Sequence, residues 1–380
     1  MRPMSSFRRR SPLSTRWSLA LLSCGALAAL TACRSGGEEP DTSDTEVGAT
    51  ETETEASADG DTGTDTGTDT PACAAQTAGE TMACVDGDLY TSDLGFIADI
   101  RVPGSTHWQA VQDMCTDRLM ELGFEVELHD YGSGVNVIGT LPGTNPDAGR
   151  VIIGAHYDHL EDCTGADDNA TGVAAVLEIA RVLAEVETPG TLVVACWDEE
   201  ELGLLGSDAH VQRDVDVGDS ESIVAAFAFD MIGYTDDEPG SQSVPDGFDF
   251  LFPTQYAELE ANEFRGDFLF WISDDAMTPL GVAFDGFAAT LDLPTLGASL
   301  DNDLKKSPLL ADLRRSDHAS FWDRDLPGMF FNDSANFRYA SYHCLDGGDD
   351  LIANLDLPFA VDVTKAATAT IAVALGRSAG

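Results

Sequence analysis

Three short apolar runs constrain the fold of this chain more than any other sequence feature. They cover residues 151–155, 191–197 and 223–229, and none of them alternates with charged residues. Such runs are typical of strands that are covered on both faces. The clearest predicted helix, residues 169–186, lies between the first two runs and is ended by Pro189-Gly190. This alternation predicts an α/β fold, a three-layer sandwich with a mostly parallel central β-sheet flanked by helices.

The same reading predicts further elements between residues 89 and 380, which we expect to form one catalytic domain. Functional residues of such folds lie in the loops at the carboxyl ends of the strands. The remaining predicted helices cover residues 104–123, 202–211, 254–263, 275–291 and 357–375, and the remaining predicted strands cover residues 124–128, 135–141, 267–272 and 327–332.

The first 33 residues have the pattern of an export signal that ends in a lipid anchor. A basic start precedes an apolar segment at residues 17–30, which is too short to cross a bilayer of about 30 Å as a helix. The segment ends Leu-Thr-Ala-Cys, which resembles a bacterial lipobox with Cys33 as the acylated residue. Because Arg34 follows, the resemblance implies an exported protein anchored to the outer membrane or cell surface, on its periplasmic or extracellular face. An ordinary cleaved signal with an incidental cysteine is the alternative.

Residues 34–88 are predicted to form an acidic, low-complexity, disordered tether. Residues 59–70 repeat Asp, Gly and Thr and are almost without large apolar side chains, so they cannot bury enough surface to fold. The whole chain carries 67 acidic and 20 basic residues. This excess argues against nucleic acid as a partner and against electrostatic docking on anionic lipid. Contact with a membrane would therefore be through the lipid anchor only.

The cysteines of the predicted domain and its approach are even in number. In an exported chain this permits disulfides but does not give their pairing. Cys73 and Cys84 are near enough in sequence to close a small loop. A Cys-x-x-Cys pair is absent from the sequence, which argues against a thiol redox centre. The six cysteines are Cys73, Cys84, Cys115, Cys163, Cys196 and Cys344.

Side chains of metal-ligand type follow each of the three apolar runs. His156 and Asp158 follow the first, the Glu200-Glu201 pair follows the second, and Asp230 follows the third. Imidazole and carboxylate without thiolate is the ligand set of catalytic zinc. The sequence therefore predicts a zinc site at the carboxyl edge of the sheet.

The spacing of these residues suggests their mechanical roles. His156 and Asp158 point to the same side of an extended segment, where the carboxylate can orient a zinc-bound imidazole. Asp168 lies just before a predicted helix, whose dipole favours a carboxylate, and there it can bridge two cations. Of the adjacent Glu200 and Glu201, one can bind metal while the other takes the proton of the attacking water.

Six motifs, in order along the chain, resemble the co-catalytic zinc aminopeptidases of bacteria (metallopeptidase family M twenty-eight), and the match as a whole runs from about residue 96 to the C-terminus. One motif alone would be weak, but six in order are highly specific. The motifs are Gly-Ala-His-Tyr-Asp (154–158), Gly-Ala-Asp-Asp-Asn-Ala-Thr-Gly-Val-Ala-Ala-Val-Leu-Glu (165–178), Glu-Glu-Leu-Gly-Leu-Leu-Gly-Ser (200–207), Phe-Asp-Met-Ile-Gly (229–233), Arg-Ser-Asp-His-Ala-Ser-Phe-Trp (315–322) and Tyr-His (342–343).

The resemblance implies a fold and a pair of zinc sites. The family fold is a mostly parallel eight-stranded sheet flanked by helices, the zinc-exopeptidase or phosphorylase/hydrolase-like fold. By position, His156 and Asp230 would bind one zinc ion, and Glu201 and His343 would bind the other. Asp168 would bridge the two ions and be followed by a cis peptide bond.

The resemblance also implies catalytic roles. Glu200 would be the general base and later the acid, Asp158 would orient the first imidazole, and Tyr342 would donate to the tetrahedral oxyanion. Asp317 and His318 would support the site or contact substrate.

The chain departs from the family after the second histidine motif. The family usually has Tyr-His-Thr-Pro-x-Asp-Thr, whereas residues 342–350 read Tyr-His-Cys-Leu-Asp-Gly-Gly-Asp-Asp. Cys344 beside the ligand and Cys163 ahead of the bridging aspartate would both lie near the metals. A disulfide across the rim of the site is one hypothesis, and two buried thiols are the alternative. The acidic runs at 236–238 and 349–350 could hold Ca²⁺, although such loops usually hold only water.

These inferences together predict a zinc-dependent exopeptidase, an aminopeptidase acting on peptides with a free N-terminus. One alternative is a glutaminyl-cyclase-like zinc acyltransferase, a class that uses one zinc ion and typically has Ser after the bridging-type Asp. Asn169 at that position favours two ions. A carboxypeptidase-type relative and a non-catalytic surface lipoprotein are further alternatives. The intact ligand set and Glu200 argue against the last of these.

Overall fold

The computed structural model describes residues 73–380. The predicted signal peptide with Cys33 and the predicted tether up to residue 72 lie outside the described residues and stay predictions. The folded part begins earlier than the predicted boundary at residue 89. A 3-10 helix spans Gly79–Cys84, Cys73 is disulfide-bonded to Cys84, and the amides of residues 78 and 79 donate to carbonyls of residues 378 and 379. These contacts with residues far along the chain hold the segment in place, and its amino-acid composition alone did not predict that it folds.

The described residues contain one β-sheet and a set of α-helices around it. The strands are β1 (Glu125–Asp130), β2 (Val135–Leu141), β3 (Arg150–His156), β4 (Thr191–Trp197), β5 (Ile223–Phe229), β6 (Leu269–Asp274), β7 (Thr295–Leu300) and β8 (Met329–Asn332). The helices are α1 (Gly87–Ile97), α2 (Thr106–Glu121), α3 (Gly172–Ala184), α4 (Leu205–Val217), α5 (Phe248–Leu251), α6 (Pro253–Ala261), α7 (Thr278–Ala289), α8 (His318–Asp323) and α9 (Leu357–Ala374).

The eight strands lie in the order β1-β2-β4-β3-β5-β8-β6-β7. Strands β4, β3, β5 and β8 are mutually parallel, as are β6 and β7. Antiparallel pairs join β1 to β2, β2 to β4 and β6 to β8. The predicted mostly parallel sheet is therefore confirmed, and β3 is placed at its centre between the two other apolar runs.

Both faces of the sheet are covered, which explains why the central strands are continuously apolar. Ile153 on β3 faces a core formed with α1, α3, α7 and α9, whereas Ile152 faces a second core formed with α4, α5, α6 and α8. This confirms the predicted three-layer sandwich. Helix α9 is long and apolar enough to cross a membrane, but 61% of it is buried inside the fold, as in the core helix of a folded domain.

Several elements differ from the sequence prediction, and the short helices α5 and α8 are among those that were not predicted. Helix α3 begins at Gly172 rather than at residue 169, because Asp168 and Asn169 have non-helical backbone angles. Helix α1 was not predicted, although Asp86 caps it by accepting from the amides of its first turn. Strand β7 was not predicted either, since it is an edge strand with small residues. A Cβ at Gly297 would lie 2.1 Å from the ring of Trp271, so the sheet requires a residue with little strand signal there.

Candidate metal centre

The candidate site is built from the carboxyl ends of three adjacent parallel strands. His156 is the last residue of β3, Glu200 and Glu201 lie in the loop after β4, and Asp230 directly follows β5. Because β3 lies between β4 and β5, these loops meet at one edge of the sheet. The sequence prediction that these residues come together is borne out by the fold.

One group of ligand atoms is centred on His156. Its Nε2 lies 3.3 Å from Oδ1 of Asp168 and 3.6 Å from Oδ1 of Asp230. One ligand atom from each of the three buried residues lies within 4.8 Å of the others. Such a cluster of one imidazole and two carboxylates has the composition and size of a site for a divalent cation.

A second group shares the same aspartate. Nε2 of His343 lies 3.2 Å from Oδ2 of Asp168 and 3.3 Å from Oε2 of Glu201. The two oxygens of Asp168 thus face different imidazoles, Oδ1 toward His156 and Oδ2 toward His343. This is the arrangement that a bridging carboxylate requires.

His159 is a further imidazole that the sequence analysis did not include among the ligands. Its Nδ1 lies 2.7 Å from Oε1 of Glu201 and 3.9 Å from Oδ1 of Asp168. Burial lowers the pKa of His159 to about 4, so the ring is neutral near pH 7 and has a lone pair to offer. The only sequence signal for it is its position three residues after His156, in the loop that follows β3.

Several buried atoms of the site lack the partners that buried polar groups normally have. Nε2 of His156, Oε1 of Glu201 and Oδ1 of Asp230 make no hydrogen bond within the described part of the chain. Burial, and then repulsion from Asp168, raises the pKa of Glu201 to about 8. Buried acids without partners are costly, and cations would satisfy these atoms and offset the repulsion. The residues present therefore fit a centre for two divalent cations.

Asp158 supports more of the site than the sequence predicted. The sequence assigned it only the imidazole of His156. Its Oδ1 lies 3.5 Å from Nδ1 of His156 and accepts a hydrogen bond from the amide of Glu200 at 3.0 Å. Its other oxygen accepts from the amide of Glu201 at 3.3 Å. One buried carboxylate therefore fixes the position of a ligand and of the backbone that carries both glutamates.

Glu200 is the buried acid next to both groups. Burial raises the pKa of Glu200 well above its usual range, and the negative charges of Asp230 and Asp317 act in the same direction. The positive charge of bound cations would counteract this rise and make the carboxylate available as a base. Asp317 is itself buried, and its pKa is raised to about 7 mainly by burial. It lies close enough to affect Glu200, in agreement with a supporting role.

His318 does not join these residues. Its Nε2 lies 2.9 Å from the carbonyl oxygen of Leu313, and its ring is stacked on Phe330 with centroids 4.4 Å apart and packed edge-on against Trp322. This corrects the prediction that His318 supports the site or contacts substrate. Helix α8 begins at this residue, and its side chain is buried against Phe330 and Trp322.

Tyr342 lies at the rim of the site. Its ring is stacked on His343 with centroids 3.7 Å apart, and its hydroxyl accepts a hydrogen bond from Arg315 at 2.8 Å. Burial raises the pKa of Tyr342, and the nearby Asp168 raises it further. The phenol of Tyr342 thus keeps its proton near pH 7. Because Arg315 can only donate hydrogen bonds, the hydroxyl hydrogen of Tyr342 points toward a different acceptor.

The loop that carries Asp168 is held by a residue that the sequence analysis missed. The buried guanidinium of Arg101 donates to the carbonyls of Thr164, Gly165 and Asp168 at 2.6, 2.7 and 3.0 Å. Gly165 has a φ of +55°, and a Cβ there would lie 2.2 Å from the Asp168 carbonyl oxygen. The Asp168–Asn169 peptide bond is cis, as the resemblance implied.

Asp350 supports the same loop from the C-terminal part of the chain. Its buried carboxylate accepts hydrogen bonds from the amides of Asp167 and Asp168, at 3.0 and 3.1 Å, and from the hydroxyl of Tyr339. The carboxylate is thus engaged with protein donors, which gives Asp350 a structural role, and Ca²⁺ binding by the run at 349–350 stays a prediction. Nothing in the local sequence distinguishes this acid from its exposed neighbour Asp349.

We expect Asp350→Ala to lower the free energy of unfolding by about 1–3 kcal/mol, because it leaves buried amides without an acceptor. Urea denaturation followed by circular dichroism measures the change. Asp349→Ala is the matched control, since Asp349 is adjacent and exposed, and it should leave the stability within about 0.5 kcal/mol of the parent protein. Equal stability of the two variants would show that the Asp350 carboxylate does not support the loop.

Fold and site together define an α/β protein with a candidate two-cation centre at the carboxyl edge of its sheet. Residues 136–261 match Peptidase family M28. The matched segment contains His156, Asp168, Glu200, Glu201 and Asp230. This part of the chain is therefore similar to Peptidase family M28, in agreement with the resemblance found from the motifs.

Individual relatives agree with this assignment. The chain is 31% identical to the Escherichia coli (strain K12) protein YfbL over 214 residues, 52% of this chain and 59% of that protein. It is 31% identical to an aminopeptidase of Pseudomonas aeruginosa (strain UCBPP-PA14) over 169 residues, 40% of this chain and 30% of that protein. The chain thus spans less than two thirds of the length of these curated relatives.

The fold is also similar to a solved structure. The crystal structure of the Legionella pneumophila LapA aminopeptidase matches with a TM-score of 0.61, covering 79% of this chain and 75% of that one. The two sequences are 17% identical over the match, so this likeness shows the fold alone.

Proposed function

We propose that this protein is a zinc-dependent aminopeptidase that hydrolyses N-terminal residues from peptides. The observation that carries the proposal is the position of Asp168, with one carboxylate oxygen facing His156 and the other facing His343. A carboxylate shared in this way between two sets of ligands supports a centre for two ions. The aminopeptidase among the relatives, and the peptidase family that residues 136–261 match, support a peptide substrate.

In this proposal His156 and Asp230 hold one zinc ion, Glu201 and His343 hold the other, and Asp168 bridges them. When bound, the ions would polarise the scissile carbonyl and lower the pKa of a water molecule toward about 7. Asp158 keeps the first imidazole and the two glutamates in place through its contacts with Nδ1 and with two amides.

Glu200 moves the proton. Its carboxylate takes a proton from the attacking water and later gives it to the departing amine, as general base and then general acid. The residue is suited to this because it is buried among the ligands and is itself not needed to complete either group of ligand atoms.

Tyr342 stabilises the oxyanion. Its hydroxyl accepts from Arg315 and so presents its own proton to the negative oxygen that develops on the substrate. Stacking on His343 holds the phenol beside the second group of ligands. The guanidinium of Arg315 also places a positive charge beside Tyr342.

An apolar cavity beside the centre supports an apolar N-terminal side chain in the substrate. Asp230 and Tyr342 form its polar edge, so a residue placed in the cavity would have its carbonyl near both groups of ligands. The carboxylates of Asp230 and Asp312 in the cavity lining favour a protonated α-amine, which is the feature that distinguishes an N-terminus. The apolar lining includes Val244, Phe248, Leu259, Phe268, Phe270, Leu296, Leu313, Phe330 and Phe337.

The reaction would take place outside the cytoplasm. The predicted export signal motivates this, and the two disulfides of the described residues support it, because disulfides persist in oxidising compartments.

Mass spectrometry of peptide products tests the proposal. The protein, supplied with zinc, would be incubated with free peptides that begin with Leu, Ala or Gln and with an N-acetylated Leu peptide. We expect stepwise loss of single residues from the free peptides only, with kcat/KM for Leu at least about tenfold above Ala, since added apolar volume in such a pocket contributes that much.

Each other outcome points to a different function. Loss of ammonia from the Gln peptide without cleavage would replace the aminopeptidase by a cyclase. Cleavage from the carboxyl end would keep the metal centre and overturn the substrate assignment. No product from any peptide, with zinc bound, would contradict the enzymatic proposal and favour a binding lipoprotein.

A further inference from the structure

We propose that the Cys163–Cys344 disulfide is a positioning element for the metal centre, which holds His343 where it can bind the second zinc ion. The disulfide that the sequence left as one of two hypotheses is present in the structure. The inference rests on the proposed two-zinc function and adds that only the second ion depends on this bond.

The disulfide joins the two chain segments that must meet to form the second group of ligands. Cys163 begins the loop that leads to Asp168, and Cys344 directly follows His343. The bonded cysteines are separated by 181 positions in sequence. The bond therefore connects the bridging aspartate to a ligand that comes from a distant part of the chain.

His343 is less enclosed by the fold than His156. Its side chain is 23% exposed, whereas that of His156 is fully buried. Its Nε2 faces Asp168 and Glu201, and its ring is stacked on Tyr342.

The comparison with His156 shows how a ligand of this kind is held in place. A metal-binding imidazole usually has its second nitrogen held by a carboxylate or a backbone carbonyl, and loss of that support costs about 10- to 100-fold in metal affinity. For His156 that support is Asp158, whose carbonyl oxygen lies 3.3 Å and whose carboxylate oxygen lies 3.5 Å from Nδ1. For His343 the covalent bond of the next residue, Cys344, to Cys163 constrains the backbone that carries the imidazole.

Contacts around the disulfide fix its position relative to the metal loop. The amide of Asp350 donates to Sγ of Cys344 at 3.4 Å, and the Thr164 hydroxyl donates to the Asp350 carbonyl. The carboxylate of Asp350 accepts from the amides of Asp167 and Asp168. The disulfide and Asp350 thus fasten the segment after His343 to the loop that carries the bridging ligand. His156 and Asp230 have no part in this connection.

Zinc binding to the full-length protein tests the inference. Zinc per chain would be measured across a series of buffered free-zinc concentrations and confirmed by native mass spectrometry. The test protein is the double variant Cys163→Ser/Cys344→Ser. The matched control is Cys73→Ser/Cys84→Ser, which removes the other disulfide of the described residues, and His343→Ala serves as the reference for loss of the ligand itself.

We expect the parent protein and the control to bind two ions. The test variant should bind the first ion with unchanged affinity and the second about 10- to 100-fold more weakly, approaching His343→Ala. Unchanged affinity for both ions would overturn the inference and would favour His159 as the second-site imidazole. Weaker binding of both ions, or loss of the far-ultraviolet circular dichroism spectrum of the folded protein, would also overturn the inference. In either case the disulfide would support the fold as a whole and not the position of one ligand. A parent protein that binds one ion would instead contradict the proposed two-zinc function.

Discussion

Glu200→Gln is expected to lower kcat for peptide hydrolysis by about 10²- to 10⁴-fold while both zinc ions stay bound. The amide has nearly the shape of the carboxylate but cannot take a proton from water. Because Glu200 belongs to neither group of ligand atoms, its replacement should leave the zinc content unchanged. Steady-state kinetics on a Leu peptide, together with zinc analysis of the same samples, measures both effects.

Glu199→Gln is the matched control for this experiment. Glu199 is the adjacent acid, and its carboxylate accepts a hydrogen bond from Ser133 at 2.6 Å, which an amide oxygen can retain. The kcat of Glu199→Gln should stay close to that of the parent protein. If Glu200→Gln kept its activity, another group would have to be the base. A decrease in kcat accompanied by loss of zinc would show that Glu200 acts as a ligand instead.

Asp168→Ala should have the largest effect on metal content, reducing bound zinc from two ions per chain toward none. The substitution removes a carboxylate that both groups of ligands share, and the first group then retains only His156 and Asp230, fewer donors than a stable zinc site requires. Hydrolysis should fall with the metal, by more than about 100-fold if the ions carry the chemistry. Zinc analysis after dialysis, with circular dichroism to confirm folding, provides the measurement.

Asp162→Asn controls for the loss of one negative charge in the same loop. Asp162 is exposed and has a φ of +62°, a conformation that asparagine tolerates. It should retain two ions and normal activity. Retention of one tightly bound ion in Asp168→Ala would mean that one site is complete without this carboxylate, which would contradict its bridging role.

The sequence was most informative where chemistry and periodicity agreed within one segment. The bounds predicted for β4 and β5 are those of the structure, because strands covered on both faces have an uninterrupted apolar signature. The side chains that follow these strands and β3 are recognisable as ligands for the same reason: each interrupts or ends an apolar run. Their convergence then follows from the rule that parallel strands present their carboxyl ends at one edge.

The sequence was less informative for residues whose roles depend on distant contacts. Arg101 and Asp350 both hold the loop of Asp168, yet they come from before β1 and after β8. His318 matched a motif but lies in the core, because the direction of a side chain at the start of a short helix is decided by what packs around it. Strand β7 contains a glycine against a tryptophan ring, so packing outweighed its weak strand propensity.

The sequence by itself determined the α/β class, the central strands, the approach of His156, Asp168, Glu200, Glu201 and Asp230 to one edge, and the resemblance to a zinc peptidase family. These depend on periodicity and on ligand types within short segments. Only the tertiary structure decided the pairing of Cys163 with Cys344, the presence of His159 beside Glu201, and the apolar cavity next to Asp230. The physical reason is that these features are contacts between segments far apart along the chain, and no local pattern encodes which of them will meet.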